Sequence, residues 1–168
     1  KATAKKLISM GVIDDVILTY TKNSAVFKSD EYTIYTRLIE GKYFAYQKMF
    51  TEGEINTCAS RTALIGAMTR AKMCTEEKQP AVFQIEDDVL NISIRDKLAD
   101  YQEQVPLQET VCKSIRLGFD SRLVLETLKA FTCDNIALGF TSPRTPMIVE
   151  AEDSDMKAMV LPVAIREA

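Results

Sequence analysis

The sequence predicts an α+β fold built by repeating one unit, a short helix that runs into antiparallel strands. Three observations predict it. In residues 118–141, GFDSRLVLETLKAFTCDNIALGFT, Asp120 suits a helix N-cap and Val124, Leu128 and Phe131 follow at i, i+4 and i+7 on one apolar face. Ile136, Leu138 and Phe140 then alternate with small or polar residues, the period of a strand with one buried face. Sliding the chain against itself by about 120 positions lays Asp14, Asp15, Val16, Leu18, Tyr20 and Thr21 over Asp134, Asn135, Ile136, Leu138, Phe140 and Thr141. A slide of about 61 lays Ser60, Arg61, Ala63, Leu64 and Ala67 over Ser121, Arg122, Val124, Leu125 and Leu128. Three copies of one unit account for both offsets.

Each element can be justified in order. Residues 1–10 read as a helix with Ala4, Leu7 and Ile8 inward, stopped by Gly11. Strands are expected at 16–21, 24–28 and 32–39, with Lys22 and Asn23 in a tight turn. The segment RLIEGKYFAYQKMF, residues 37–50, has neither helical nor strand period. It reads as a connector that packs its apolar side chains, because Tyr43, Phe44, Tyr46 and Met49 would be costly to expose together. A strand at 55–58 feeds a helix beginning near Ser60, whose core stripe is Leu64, Ala67, Met68 and Ala71. Gly66 inside that helix costs ~1 kcal/mol against alanine.

Strands are then expected at 81–86 and 89–95, joined by a turn at Asp87 and Asp88. Glu86, Asp87 and Asp88 invite a metal reading, but an acidic turn is the commoner meaning and no fourth ligand suggests itself. Two further strands, 101–105 and 112–119, are separated by an irregularity at Pro106. After the 118–141 unit the chain passes Pro143 and Pro146, and Glu150, Glu152, Asp153 and Asp155 form an acidic turn. The last strand is expected at 156–165 and includes the apolar run Met159 to Val163.

Composition narrows the function classes. The 168 residues suffice for one domain, or one and a fraction, with an ordinary balance of 46% hydrophobic and 27% charged residues. No apolar run approaches the ~18 residues of a membrane span, and nothing at the start resembles a signal peptide. The chain opens on Lys1 rather than Met, so a piece of a longer protein is expected. Cys58, Cys74, Cys112 and Cys133 are widely spaced, with no histidine anywhere, which favours reduced thiols in a cytoplasmic protein. The absence of histidine also removes the commonest general base and metal ligand.

The net charge of -3 conceals a segregation. Residues 1–10 carry Lys1, Lys5 and Lys6 without an acid, and residues 61–74 carry Arg61, Arg70 and Lys72 without an acid. These two stretches hold +6, so the remainder holds -9 to reach -3. A local positive face of this kind suits a phosphate backbone, although two solvated helix faces would read the same way.

With these residues in view, a resemblance covers essentially the whole chain. RLIEGKYFAYQKMF resembles the connector between the second and third domains of the bacterial DNA polymerase III beta subunit, the sliding clamp. The helix ending in TRAKMC, the segment GFDSRLVLETLKAF, then DNIALGFTSPRTPMIVE and the closing MVLPV are similar to that family's third domain, in order and spacing. The resemblance implies a DNA-clamp fold of repeated half-domains with helices on one face of the sheets. It makes residues 1–47 the second half of the middle domain with its connector, and 48–168 the third domain.

The same resemblance implies a non-enzymatic processivity factor that encircles duplex DNA as a head-to-tail homodimeric ring, without cofactor or metal. Lys1, Lys5, Lys6, Arg61, Arg70, Lys72, Arg122 and Lys129 would face DNA and attract phosphates without reading bases, with Glu126 weakening the third helix as a contact. An outer pocket for short linear peptides of the polymerase III alpha subunit, the clamp loader and other clamp-binding proteins would be walled by Phe44, Lys48, Met49, Leu123, Pro146, Met159, Val160, Leu161, Pro162 and Val163. Val160 and Val163 have a core reading as well. Met73 and Cys74, with the edge strand residues Tyr101, Gln102, Glu103 and Val105, would make the dimer contact. The rival class is an interaction module of the same fold that binds peptides without encircling DNA, and a hydrolase built on the acidic clusters is a distant third.

Overall fold

The computed structural model describes residues 2–10, 15–43, 45–74, 79–95, 100–151 and 154–165. The chain divides into two compact units, Lys1–Phe44 and Ala45–Ala168. Gly11, Glu152 and Asp153, to which a helix stop and an acidic turn are assigned above, lie outside the described residues.

The first unit is one helix, α1 (Ala2–Ser9), and a three-stranded antiparallel meander of β1 (Ile17–Tyr20), β2 (Ser24–Lys28) and β3 (Thr33–Arg37). Asn23 sits in the expected tight turn, where Thr21 N–H donates to the Ser24 carbonyl (2.8 Å). The inward line of α1 differs from the expected one. Ile8 is 80% exposed and Ala4 is exposed, whereas Thr3 and Leu7 are half-buried, and the Thr3 and Thr36 hydroxyls hydrogen-bond at 3.1 Å. The inward line of the helix therefore runs through Thr3 and Leu7, with Thr3 tied to β3. β1 is exposed along its whole length as the outer strand of its sheet.

The second unit holds the core. Its strands are β4 (Ile55–Ser60), β5 (Ala81–Arg95), β6 (Asp100–Phe119), β7 (Asn135–Phe140), β8 (Met147–Ala151) and β9 (Ser154–Val160), in the spatial order β5-β6-β4-β7-β8-β9. Two helices, α2 (Arg61–Met73) and α3 (Ser121–Ala130), pack on each other, and they close the core over strands of this sheet. Leu64, Ala67, Met68 and Ala71 are the buried residues of α2. Val124, Leu128, Phe131, Ile136, Leu138 and Phe140 are buried in the second half of the unit. Ser60 caps α2 by accepting from Ala63 N–H, and Asp120 caps α3 by accepting from Arg122 N–H. Each helix thus starts where a short polar side chain satisfies its otherwise unpaired amides. The Phe83 and Phe119 rings meet edge to face at 5.1 Å in the centre.

Four expectations require correction. Asp87 and Asp88 do not form a hairpin turn. They lie inside the 15-residue β5, where Asp87 adopts φ 52 at a bulge. Nor is β6 two strands. Between the pairs Ile85↔Ile115 and Val89↔Pro106, four steps along β5 (89 − 85) match nine along β6 (115 − 106). The extra length of β6 turns toward β4, pairing Leu107 with Ala59 and giving Thr57 the Glu109 carbonyl. Pro106, paired with Val89, stands at the edge of this irregularity, where a missing N–H costs the ladder little. The last strand ends at Val160, and beyond it, among the described residues, Val163 forms a single bridge, with Gly118. Finally, Tyr43 is 76% exposed and Tyr46 is exposed, so the connector leaves these two rings unburied, while Met49 and Phe50 are half-buried. Residues 46–49 form a 3-10 turn, and Tyr46 stacks edge-on to Phe50.

Candidate functional surfaces

Three surfaces gather the residues singled out above, and each can be built from its elements. The first is the helical side of the second unit. Lys72 and Lys129 stand exposed in the last turns of α2 and α3. Arg61 is half-buried, and its Nε donates to the Cys133 carbonyl at 2.6 Å while its backbone N–H donates to Asp134 O. It fastens the start of α2 to the turn before β7, so its guanidinium is partly engaged within the chain. Lys5 and Lys6 are exposed on α1 of the first unit, and Lys1 lies outside the described residues.

The remaining two arginines are held by carboxylates. Arg70 on α2 grips Glu103 on β6 with both arms, Nε to Oε2 at 2.8 Å and Nη2 to Oε1 at 2.5 Å. The Tyr101 hydroxyl donates to the Ala67 carbonyl at 2.9 Å and also lies against Glu103. Glu103 is held below the usual carboxylate range, first by Arg70 and then by Tyr101. Burial, followed by the Glu103 carboxylate, pushes the Tyr101 phenol up to about 12. Arg122 Nη2 lies 3.0 Å from Asp120 Oδ2, and this pairing is the main cause of the lowered Asp120 pKa. Sequence reading missed both pairings. For Arg122 the carboxylate two residues away was a usable signal, whereas Arg70 and Glu103 are 33 positions apart.

The second surface is apolar. Leu123 on the first turn of α3, Leu161 and Val163 are exposed at 50%, 56% and 42%. Val163 N–H donates to the Gly118 carbonyl at 2.8 Å, so residues 161–163 are pinned beside the strand end that leads into α3. Met49, Pro146, Met159 and Pro162 are half-buried and Lys48 is exposed. Val160 is 3% exposed and belongs to the core, so it offers no side-chain wall. Phe44 lies outside the described residues.

The third surface is a strand edge. Along residues 100–105, β6 pairs with β5 on one side, while its contact with β4 begins at Leu107. Gln102 is exposed, Tyr101 and Glu103 are half-buried through their ties to α2, and Val105 is a core residue at 1% exposure. Met73 is 76% exposed and Cys74 half-buried at the end of α2. The four cysteines are unbridged, and no group of three or more metal-ligating side chains occurs among the described residues. No helix among the described residues is long and apolar enough to cross a membrane.

Two helices packed on each other against one six-stranded antiparallel sheet, with an apolar patch beside the Gly118–Val163 bridge, make an α+β domain. Comparison with known proteins agrees. Residues 50–164 match the family model of the DNA polymerase III beta subunit, C-terminal domain. The beta sliding clamp of Staphylococcus aureus is 24% identical over 155 residues, covering 89% of this chain and 41% of the relative. That of Halalkalibacterium halodurans is 24% identical over 143 residues, covering 82% and 38%. Among solved structures, the DNA polymerase sliding clamp of Caulobacter crescentus superposes with a TM-score of 0.86 at 15% identity, over 98% of this chain and 44% of its own. A DNA polymerase III beta subunit from Eubacterium rectale does so with a TM-score of 0.78 at 24% identity, over 90% and 42%. The chain belongs to the DNA polymerase III beta subunit family. It spans about two-fifths of the length of the curated relatives it matches.

Proposed function

We propose that this chain acts as the C-terminal part of a processivity clamp, a cytoplasmic, non-enzymatic protein that holds a replicative polymerase on duplex DNA. Residues 1–47 serve as the second half of a middle domain with its connector, and 48–168 as the third domain. The family match over residues 50–164 carries this reading. In the whole protein, two copies close head to tail through the edge of β6 near Met73 and Cys74. The helices face the DNA, whose phosphates feel Lys72, Lys129 and the lysines of α1 without base readout. The apolar patch of Leu123, Leu161 and Val163 captures short linear peptides of the polymerase alpha subunit and the clamp loader.

The test is topological. The complete polypeptide is loaded by its cognate loader onto nicked circular DNA, which is then linearised. Retention on circles with loss from cut ends is expected, and retention on both would make it an ordinary DNA binder. One observation favours a second reading, an interaction module that binds peptides without encircling DNA: Arg70 and Arg122 are each paired with a carboxylate. Failure to load with an active loader, with peptide binding intact, would select that module.

A further inference from the structure

We infer that Glu103 is a positioning residue that withholds Arg70 from the DNA-facing surface, so that the third domain meets phosphates with one cation fewer than its sequence counts. This rests on the reading of the helical side as the side that meets DNA. The geometry is specific. A planar guanidinium satisfied at two nitrogens by one carboxylate has spent its most directional donors and its net charge. The Tyr101 hydroxyl lies within reach of both the Glu103 carboxylate and the Ala67 carbonyl on α2, with one proton to share between them.

The helix itself makes room for this pose. A Cβ placed on Gly66, one turn before Arg70, would stand 3.2 Å from Nη2 and 3.4 Å from Nη1. A side chain there would ask the guanidinium, the free end of a flexible chain, to give by a few tenths of an ångström. The Arg70 guanidinium is half-exposed, so it could reach a phosphate if Glu103 released it. Arg122 offers a less clean case, because Asp120 is also the cap of α3.

The experiment measures binding of the chain to a labelled duplex over a series of low salt concentrations. Each phosphate contact adds about 0.9 to the slope of log K against log salt. The wild type and Arg70→Ala are expected to share one slope. Glu103→Gln should steepen it by about 0.9, and adding Arg70→Ala to Glu103→Gln should restore the original value. That last comparison separates release of Arg70 from simple loss of a negative charge.

A shallower slope for Arg70→Ala alone would overturn the inference, and so would an unchanged slope for folded Glu103→Gln. The Arg70→Ala arm stands even if Glu103→Gln folds poorly. Salt-dependent wild-type binding with no response to Glu103→Gln removes the inference and leaves the DNA reading intact. Absence of binding by every variant at low salt removes the inference, while the clamp reading stands or falls separately on loading of the complete polypeptide onto circular DNA.

Discussion

Gly118→Ala tests how residues 161–165 are held against the sheet. A Cβ at position 118 would lie 2.7 Å from the Val163 carbonyl oxygen, 3.0 Å from Ile165 Cγ1 and 3.2 Å from Pro80 Cβ. The nearest atom is backbone, so it cannot swing aside. Relief requires the 161–165 segment to move, which removes the 2.8 Å hydrogen bond from Val163 N–H to Gly118 O. Overpacking costs about 1–3 kcal/mol, and the lost hydrogen bond about 1 kcal/mol. Alanine returns up to about 1 kcal/mol by restricting the unfolded chain. The net loss is about 2 kcal/mol, a fall in Tm of roughly 4–8 °C for a protein of this size. Thermal unfolding and amide exchange at Val163 measure it. A Tm within about 1 °C of wild type and an unchanged Val163 exchange rate would refute the reasoning, because the clash would then have been absorbed without moving the segment.

Three further outcomes are expected. Leu161→Ser should weaken a clamp-binding peptide at least tenfold, about 1.4 kcal/mol, without unfolding the domain, since Leu161 is 56% exposed; calorimetric titration with equal affinity for both proteins would sink the pocket assignment. Met68→Ala, at a side chain with 0% exposure among the buried residues of α2, should cost about 2–5 kcal/mol in urea unfolding. The Glu103 carboxyl, lowered from 4.5 chiefly by Arg70 and then by Tyr101, contributes stability above that value that is lost as pH falls through its folded pKa. Unfolding followed below pH 4.5 should therefore be less pH-dependent in Glu103→Gln than in wild type; parallel curves would show that the pair contributes nothing in solution.

Local pattern alone determined a good part of this protein. The caps Ser60 and Asp120 and the stripe Leu64, Ala67, Met68 and Ala71 were legible because each depends on neighbours within about one or two helical turns. The alternation at Ile136, Leu138 and Phe140 was legible for the same reason, and so was the family resemblance, which rests on short segments in order. Tertiary structure decided what depends on distant partners. Leu18 and Tyr20 carry the same alternation as Leu138 and Phe140, yet they are exposed on an outer strand, whereas β7 lies between β4 and β8. β6 stays one strand through Pro106 because it keeps β5 as its partner on both sides of the irregularity and touches β4 at Leu107 within it, which no local period records. The positive charge counted on α2 is likewise reduced at Arg70 by a carboxylate 33 residues away, since side-chain pairing follows distance in space rather than in sequence.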